Sequence, residues 1–251
     1  MDRRPIFSIV LLAIISVCGL CLWEIHVPND GREPMEAMAD AGNGMDETNT
    51  APKLIAFTFD DGPKAGKTDV LLDELKKRNV QATFFLLGLQ IEQYPDIVKR
   101  MFEEGHQIGN HTFNHVQLSI LDKAGVKSEM EQWEDSYFNI VGEQPYCLRP
   151  PFGAVSDAMS EEVNVPMILW SVDTEDWTGK KAQDIADYII KEAQPGDIIL
   201  MHDIYDESVK GAILAIDELS QRGYTFVTVD ELFQSKNMDL VPGKVYRRVS
   251  Y

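Results

Sequence analysis

The stretch KLIAFTFDDGP, residues 53 to 63, opens as a short β-favouring run, Lys53–Phe59, and ends in two adjacent aspartates and a Gly-Pro turn. Beyond Pro52 the same alternation repeats, with short β-rich runs separated by longer helical segments. That is the pattern of strands joined by crossover helices. The remaining expected strands are Val80–Leu87, His106–Asn110, Gln144–Leu148, Pro166–Val172, Asp197–Met201 and Tyr224–Val229. Seven such units predict an α/β fold, a distorted, incomplete (β/α)7 barrel.

The strongest helical segment is Ser119 to Val141, where Val126, Met130, Trp133, Tyr137 and Ile140 recur at spacings of four and three. Gly142 supplies a C-cap, and the aromatics of this stripe read as core packing. Thr68 and Gly105 bracket a helix, turn and helix around the second strand, and Ala182–Ala193 and Glu207–Gln221 complete the set.

Polar residues gather at one place in this pattern. Asp60 and Asp61 follow the first strand, His111 and His115 the third, Arg149 the fourth, Asp173 and Asp176 the fifth, and His202 the sixth. All lie at strand C-terminal ends, the rim on which α/β barrels assemble their active sites.

In HTFNH, residues 111 to 115, the two histidines stand four apart and are expected to share one face of a helical turn, where they can hold one metal. Two unrelated surface histidines are the plainer alternative. A carboxylate beside the two histidines would complete a catalytic metal site with three protein ligands and an open position, and TFDDG offers two. Side chains alternate along a strand, so Asp60 and Asp61 point apart, and one is expected to bind metal while the other works on water. Alone, DDGP also reads as an ordinary turn.

Composition narrows the partners. With 23 basic against 41 acidic residues, the net charge of −18 opposes nucleic-acid phosphates and anionic lipid headgroups, so no nucleic-acid partner is expected. The 251 residues suit one catalytic-sized domain plus an appendage, expected to act as a monomer. Cys18, Cys21 and Cys147 are the only cysteines, too few for a disulfide framework in the soluble part. Val17 and Leu20 before the first two are not the small residues that lipoprotein processing prefers.

Residues 1–23 read as a cytoplasmic start and a membrane anchor. Ile6 to Trp23 carry no charge, and Arg3 and Arg4 precede them, which places the remainder outside the cell membrane as a single-pass protein. A cleaved signal peptide, and so a secreted chain, is the alternative. Residues 24–51 are poor in aromatics and rich in Glu, Asp, Gly, Pro and Asn, the composition of a flexible acidic linker. Residues 52–251 form the remaining unit, and Ser235–Tyr251 carry no readable signal.

Five motifs in order, TFDDG (58 to 62), HTFNH (111 to 115), RPPFG (149 to 153), DTEDW (173 to 177) and LMH (200 to 202), resemble those of the polysaccharide deacetylases, the carbohydrate esterase family sharing the NodB homology domain. The resemblance covers roughly residues 53 to 234. It implies that Asp61, His111 and His115 bind a divalent metal, usually zinc with cobalt as another candidate, which polarises the acetyl carbonyl and acidifies a water. It implies Asp60 as general base with Arg149 as its partner, and His202 as general acid with Asp176 beside it. The Phe152 N–H is implied as an oxyanion donor, and Trp177 and Leu200 as walls of a pocket for the acetyl methyl group. Phe152 stands where the family commonly has Tyr.

The implied substrate is an acetylated cell-surface polysaccharide, with N-acetylated amino sugars of peptidoglycan first. Chitin-like oligomers, an exopolysaccharide and O-acetylated xylan are alternatives. A catalytically inactive carbohydrate-binding protein and a hydrolase of small soluble amides or esters are further readings. Asp173 is expected to shape its loop, His106 to satisfy a structural hydrogen bond, and Cys147 to pack.

Overall fold

The computed structural model describes residues 52–144 and 147–250. The first strand, β1 (Lys53–Asp60), is buried from Ile55 onward. Burial on both faces is what a parallel strand with lateral neighbours and covering helices requires. It pairs in parallel with β2 (Thr83–Leu86), β6 (Ile198–His202) and β7 (Tyr224–Phe226). With β3 (Gln107–Asn110) beside β2 and β5 (Val172–Asp173) beside β6, the order is β3-β2-β1-β6-β5, with β7 on β1.

A separate parallel pair joins β4 (Met167–Ile168) to β8 (Val245–Tyr246). Leu148 bridges Asn110 on one side and Met167 on the other, so pairing passes from β3 to β4, and the segment 167–173 leads on into β5. The helices are α1 (Thr68–Arg78), α2 (Gly88–Gln93), α3 (Pro95–Glu103), α4 (Lys123–Val141), α5 (Asp157–Glu162), α6 (Ala182–Glu192), α7 (Asp206–Gln221) and α8 (Val229–Gln234).

Strand alternation decides which residues reach the site. Ile55, Phe57, Phe59, Phe84, Leu86, Ile199 and Met201 join one apolar cluster with side chains of α1, α3, α6 and α7. Ala56, Phe85, Ile168 and Ile198 belong to a second cluster on the opposite face. The period of two therefore puts Thr58 and Asp60 of β1 on the face of Ala56, and Leu200 and His202 of β6 on the face of Ile198. Gly109 keeps that face open, because a Cβ there would lie 2.6 Å from the Phe85 ring and 3.1 Å from Cys147 Sγ.

Several expectations are corrected. The strand expected over Pro166–Val172 splits, because Leu169 N–H bonds Tyr246 O while Ser171 N–H bonds Ile198 O, so the chain changes partner midway. β7 stops at Phe226 rather than Val229, since Thr228 and Glu231 form a reciprocal capping box that starts α8. β2 starts at Thr83 rather than Val80, whose N–H bonds Leu75 O at the end of α1.

The long helix begins at Lys123 rather than Ser119. Residues 118–120 form a 3-10 turn, and the Asp122 carboxylate caps α4 by accepting the Gly125 N–H at 2.8 Å. Gly142, at φ 80°, ends the helix as expected. The strand Gln144–Leu148 falls partly on residues 145–146, outside the described residues, and Leu148 makes isolated bridges only. The tail, unread in the sequence, supplies β8 and the fully buried Val249.

No helix among the described residues is long and apolar enough to cross a membrane. The anchor expected in residues 1–23 and the linker over 24–51 lie outside the described residues.

Candidate active site

Asp60 ends β1 as a buried carboxylate facing Arg149, which has no exposure to solvent. Arg149 Nη1 donates to Asp60 Oδ1 at 2.7 Å and to Thr58 Oγ1 at 2.7 Å. Nε and Nη2 donate to the carbonyls of Ile168 (3.1 Å) and Leu169 (3.2 Å), and the guanidinium lies over the Phe85 ring at 4.1 Å. Every arm is occupied, so the positive charge has one fixed address. Burial pushes the Asp60 carboxyl above its ordinary range, while Arg149 and His202 pull it back. Asp60 thus carries a basicity that a solvated aspartate lacks.

The two histidines come together by a route other than the expected helical turn. His111 leaves β3, Thr112 and His115 take left-handed backbone (φ 69° and 58°), and the loop doubles back. Such φ values are costly for non-glycine residues and need support. Asn110 Oδ1 accepts the Thr112 N–H at 2.6 Å, and Glu129 of α4 accepts the N–H groups of Phe113 (3.0 Å) and Asn114 (2.9 Å) and the Asn114 amide (2.8 Å). The first N–H groups of α2, Gly88 and Leu89, donate to Thr112 O and Phe113 O.

His111 Nδ1 lies 2.6 Å from Arg149 O. A carbonyl only accepts, so Nδ1 carries the hydrogen and Nε2 keeps its lone pair. Burial pushes this imidazole down to about 3, the neutral form that binds metal. His111 Nε2 lies 3.5 Å and His115 Nε2 3.4 Å from Asp61 Oδ1, a buried oxygen with no hydrogen-bond partner. Tetrahedral metals with bonds of about 2.0–2.2 Å hold their donors roughly 3.4 Å apart. The orphaned oxygen, the lone pair and the spacing all fit one divalent ion, and the donor atoms of Asp61, His111 and His115 all lie within 4.8 Å of one another.

Across the rim, Asp176 holds His202 twice. Its Oδ1 accepts from His202 Nδ1 at 2.8 Å, and its Oδ2 accepts the His202 backbone N–H at 2.8 Å. Burial pulls the imidazole down, but the Asp176 carboxylate, with Asp60 and Asp61 behind it, overrides that and raises it to about 9. The fixing of Nδ1 leaves Nε2 for the cleft. Asp173 accepts the Glu175 N–H at 3.0 Å and so shapes the turn carrying Asp176.

Asp60, Asp61, His111, His115 and His202 line a cleft of about 460 Å³, with Phe152, Trp177 and Leu200 in its wall. Trp177 and Phe152 are exposed at the rim and Leu200 is buried. Phe152 stands in left-handed backbone (φ 62°), and its ring packs edge-on against His115 at 4.9 Å. The turn's own hydrogen bonds come from Gly153 N to Pro150 O and Ala154 N to Pro151 O, which leaves the Phe152 N–H outside them. Gly153 is required here, since a Cβ would lie 2.8 Å from the Trp170 ring. His106 Nδ1 accepts the Ala82 N–H at 3.1 Å, and Cys147 is buried in the second apolar cluster.

Sequence reasoning missed Trp170 and Tyr205, which also line the cleft, and Glu129. Glu129 had a legible signal, being an acid three residues after Val126 and beside Met130 on the apolar stripe of α4.

Residues 47–165 match the model of the family described as polysaccharide deacetylase. The chain is 42% identical over 194 residues to the peptidoglycan-N-acetylglucosamine deacetylase PgdA of Listeria monocytogenes serotype 1/2a (strain 10403S), covering 77% of this chain and 41% of that protein. The chain therefore spans about two-fifths of that relative's length. It is 34% identical over 222 residues to the peptidoglycan-N-acetylmuramic acid deacetylase PdaA of Bacillus subtilis (strain 168), covering 86% of this chain and 84% of that one. Its structure is similar, at a TM-score of 0.75 and 30% identity, to a family 4 acetyl xylan esterase from Clostridium thermocellum in complex with a cobalt ion, over 79% of this chain and 100% of that one. Motifs, site geometry and these likenesses agree: the chain belongs to the polysaccharide deacetylase family.

Proposed function

We propose that the chain is a metal-dependent hydrolase that removes N-acetyl groups from amino sugars of a cell-surface polysaccharide, with peptidoglycan as the polymer. The observation that carries this reading is the pair of opposed ion pairs, Asp60 with Arg149 and Asp176 with His202, flanking the Asp61, His111 and His115 donors. Peptidoglycan is supported by the names of the Listeria and Bacillus relatives, each of which specifies an N-acetylated sugar of that polymer.

Asp61, His111 and His115 would hold the ion, with zinc as its identity, supported by a mixed imidazole and carboxylate donor set. Bound there, a divalent cation supplies Lewis acidity to water and to the acetyl carbonyl. Asp60 accepts the proton of the attacking water, its basicity raised by burial and its orientation fixed by Arg149. The Phe152 N–H donates to the oxygen that becomes negative. His202, held as imidazolium by Asp176, protonates the sugar nitrogen as it leaves, because an amide anion is too basic to depart unprotonated. Trp177 and Leu200 bound the space for the acetyl methyl group, and an adjoining cleft of about 400 Å³ lined by Gln90 and Tyr94 shares Asp61 and His115 with it, giving room for a neighbouring sugar.

The strand circuit is read as an incomplete seven-stranded barrel with this site on its rim. Residues 6–23 are read as a membrane anchor that holds residues 52–251 outside the cell as a monomer, supported by the uncharged run after Arg3 and Arg4. Acetate release measured across N-acetylated peptidoglycan fragments, chitin oligomers and O-acetylated xylan tests the substrate. Preference for either of the last two would overturn peptidoglycan.

A further inference from the structure

Asp203 is fully buried, and the chemistry above makes no use of it. It is not part of the donor group formed by Asp61, His111 and His115. One of its oxygens, Oδ2, accepts from the Thr68 hydroxyl, while Oδ1 is buried and accepts no hydrogen bond from another residue. Buried polar atoms left unpaired are costly, and a natural fold that keeps one invites an explanation.

The surroundings supply it. Thr68 Oγ1 also accepts the Lys64 N–H at 2.8 Å, so Asp203, Thr68 and Lys64 form a chain that ties down the turn after Asp61. The carboxyl itself lies against Gly62, where a Cβ would come within 2.5 Å of Oδ1 and 2.6 Å of Oδ2. On the other side, the Leu87 N–H donates to Gly62 O at 3.2 Å. Asp61, between these restraints and β1, is held at φ 71°, and no protein hydrogen bond reaches its Oδ1. The position of that oxygen is therefore set by the backbone of the turn. The turn in turn rests on Asp203.

We propose that Asp203 is a positioning residue for the metal-binding carboxylate: its buried carboxyl supports the Gly62–Lys64 turn so that Asp61 Oδ1 meets both imidazoles. Asp203 acts through Gly62 and Thr68 and does not touch the ion. The inference rests on the reading of Asp61, His111 and His115 as the metal site.

The test is a cobalt titration of the metal-stripped full chain, followed by visible absorption, with unfolding midpoints measured alongside. Unaltered protein binding no cobalt at all would sink the metal site itself. If it binds, Asp203→Ala is expected to weaken affinity about 10–100-fold, the usual effect of removing a group that orients a ligand. Asp203→Asn, which keeps an acceptor for the Thr68 hydroxyl, should lose less. Thr68→Val should lose affinity in the same direction, and it carries the test should Asp203→Ala fail to fold.

A double-mutant cycle isolates the contact. Gly62→Ala should weaken cobalt binding when Asp203 is present and cost clearly less in the Asp203→Ala background, where the added Cβ has room. A general loss of stability would not produce that coupling. Cobalt affinity within twofold of the unaltered protein for both Asp203→Ala and Thr68→Val, or equal costs of Gly62→Ala in the two backgrounds, would overturn the inference.

Discussion

Asp60 and His202 are register partners at the C-terminal ends of β1 and β6, two neighbouring parallel strands. Strand alternation sends both side chains to one face, and each finds a buried partner of opposite charge, Arg149 for Asp60 and Asp176 for His202. Two proton carriers, each held by its own ion pair, thus stand side by side. The sheet fixes their separation, and the loops after β1 and β3 bring up the Asp61, His111 and His115 donors.

Asp60→Asn keeps the shape of the side chain and removes the proton acceptor. Turnover is expected to fall by about 10²–10⁴-fold, the range for loss of a general base, while cobalt affinity changes little. Steady-state kinetics beside a cobalt titration checks both; near-normal turnover would remove Asp60 from that role.

His202 titrates at about 9, above the ordinary 6.5, so its acidic form is present below about 9. The rate kcat/KM should therefore fall as pH rises through about 9. The same raised pKa stabilises the fold fully below the unfolded value of about 6.5, and that stabilisation is lost as pH rises through 9. In Asp176→Asn the imidazole loses the carboxylate that holds its proton, and the alkaline fall should move to lower pH. An alkaline limb in the same place in both proteins would contradict the assignment.

Arg149 is buried, and each of its three side-chain nitrogens donates a hydrogen bond. Arg149→Met leaves Asp60 as a buried charge without its partner, a change that costs about 3–5 kcal/mol in comparable sites. Denaturant unfolding should show a loss of that size, and a loss below about 1 kcal/mol would mean that Asp60 finds other solvation.

Glu129 accepts three hydrogen bonds from the loop that carries His115. Glu129→Ala should weaken cobalt binding and, by removing the charged acceptor of three partly buried hydrogen bonds, destabilise the fold by about 1–3 kcal/mol. An unfolding midpoint and cobalt affinity both unchanged would show that the left-handed loop holds itself.

Much of this was legible in the sequence because strand ends and chemistry coincide: Asp60, His111, Arg149, Asp176 and His202 each follow an expected strand. The metal donors were found through residue type and order, but their local geometry was misread. A spacing of four suggests a helical turn, whereas the HTFNH loop is bent by left-handed backbone and held by Glu129, which lies on another element. The split near Trp170 and the strand Val245–Tyr246 escaped because both depend on pairing between distant segments. Asp203 was passed over because its partners, Gly62 and Thr68, are about 140 residues away in the chain.

The central claim is that Asp61, His111 and His115 hold a divalent ion without which the acetyl group is not released. It is tested most directly by acetate release from N-acetylated peptidoglycan fragments before metal removal, after it, and after zinc or cobalt is returned. Activity is expected to vanish on removal and to recover with either ion, whereas an unchanged rate in the fully metal-free protein would contradict the account.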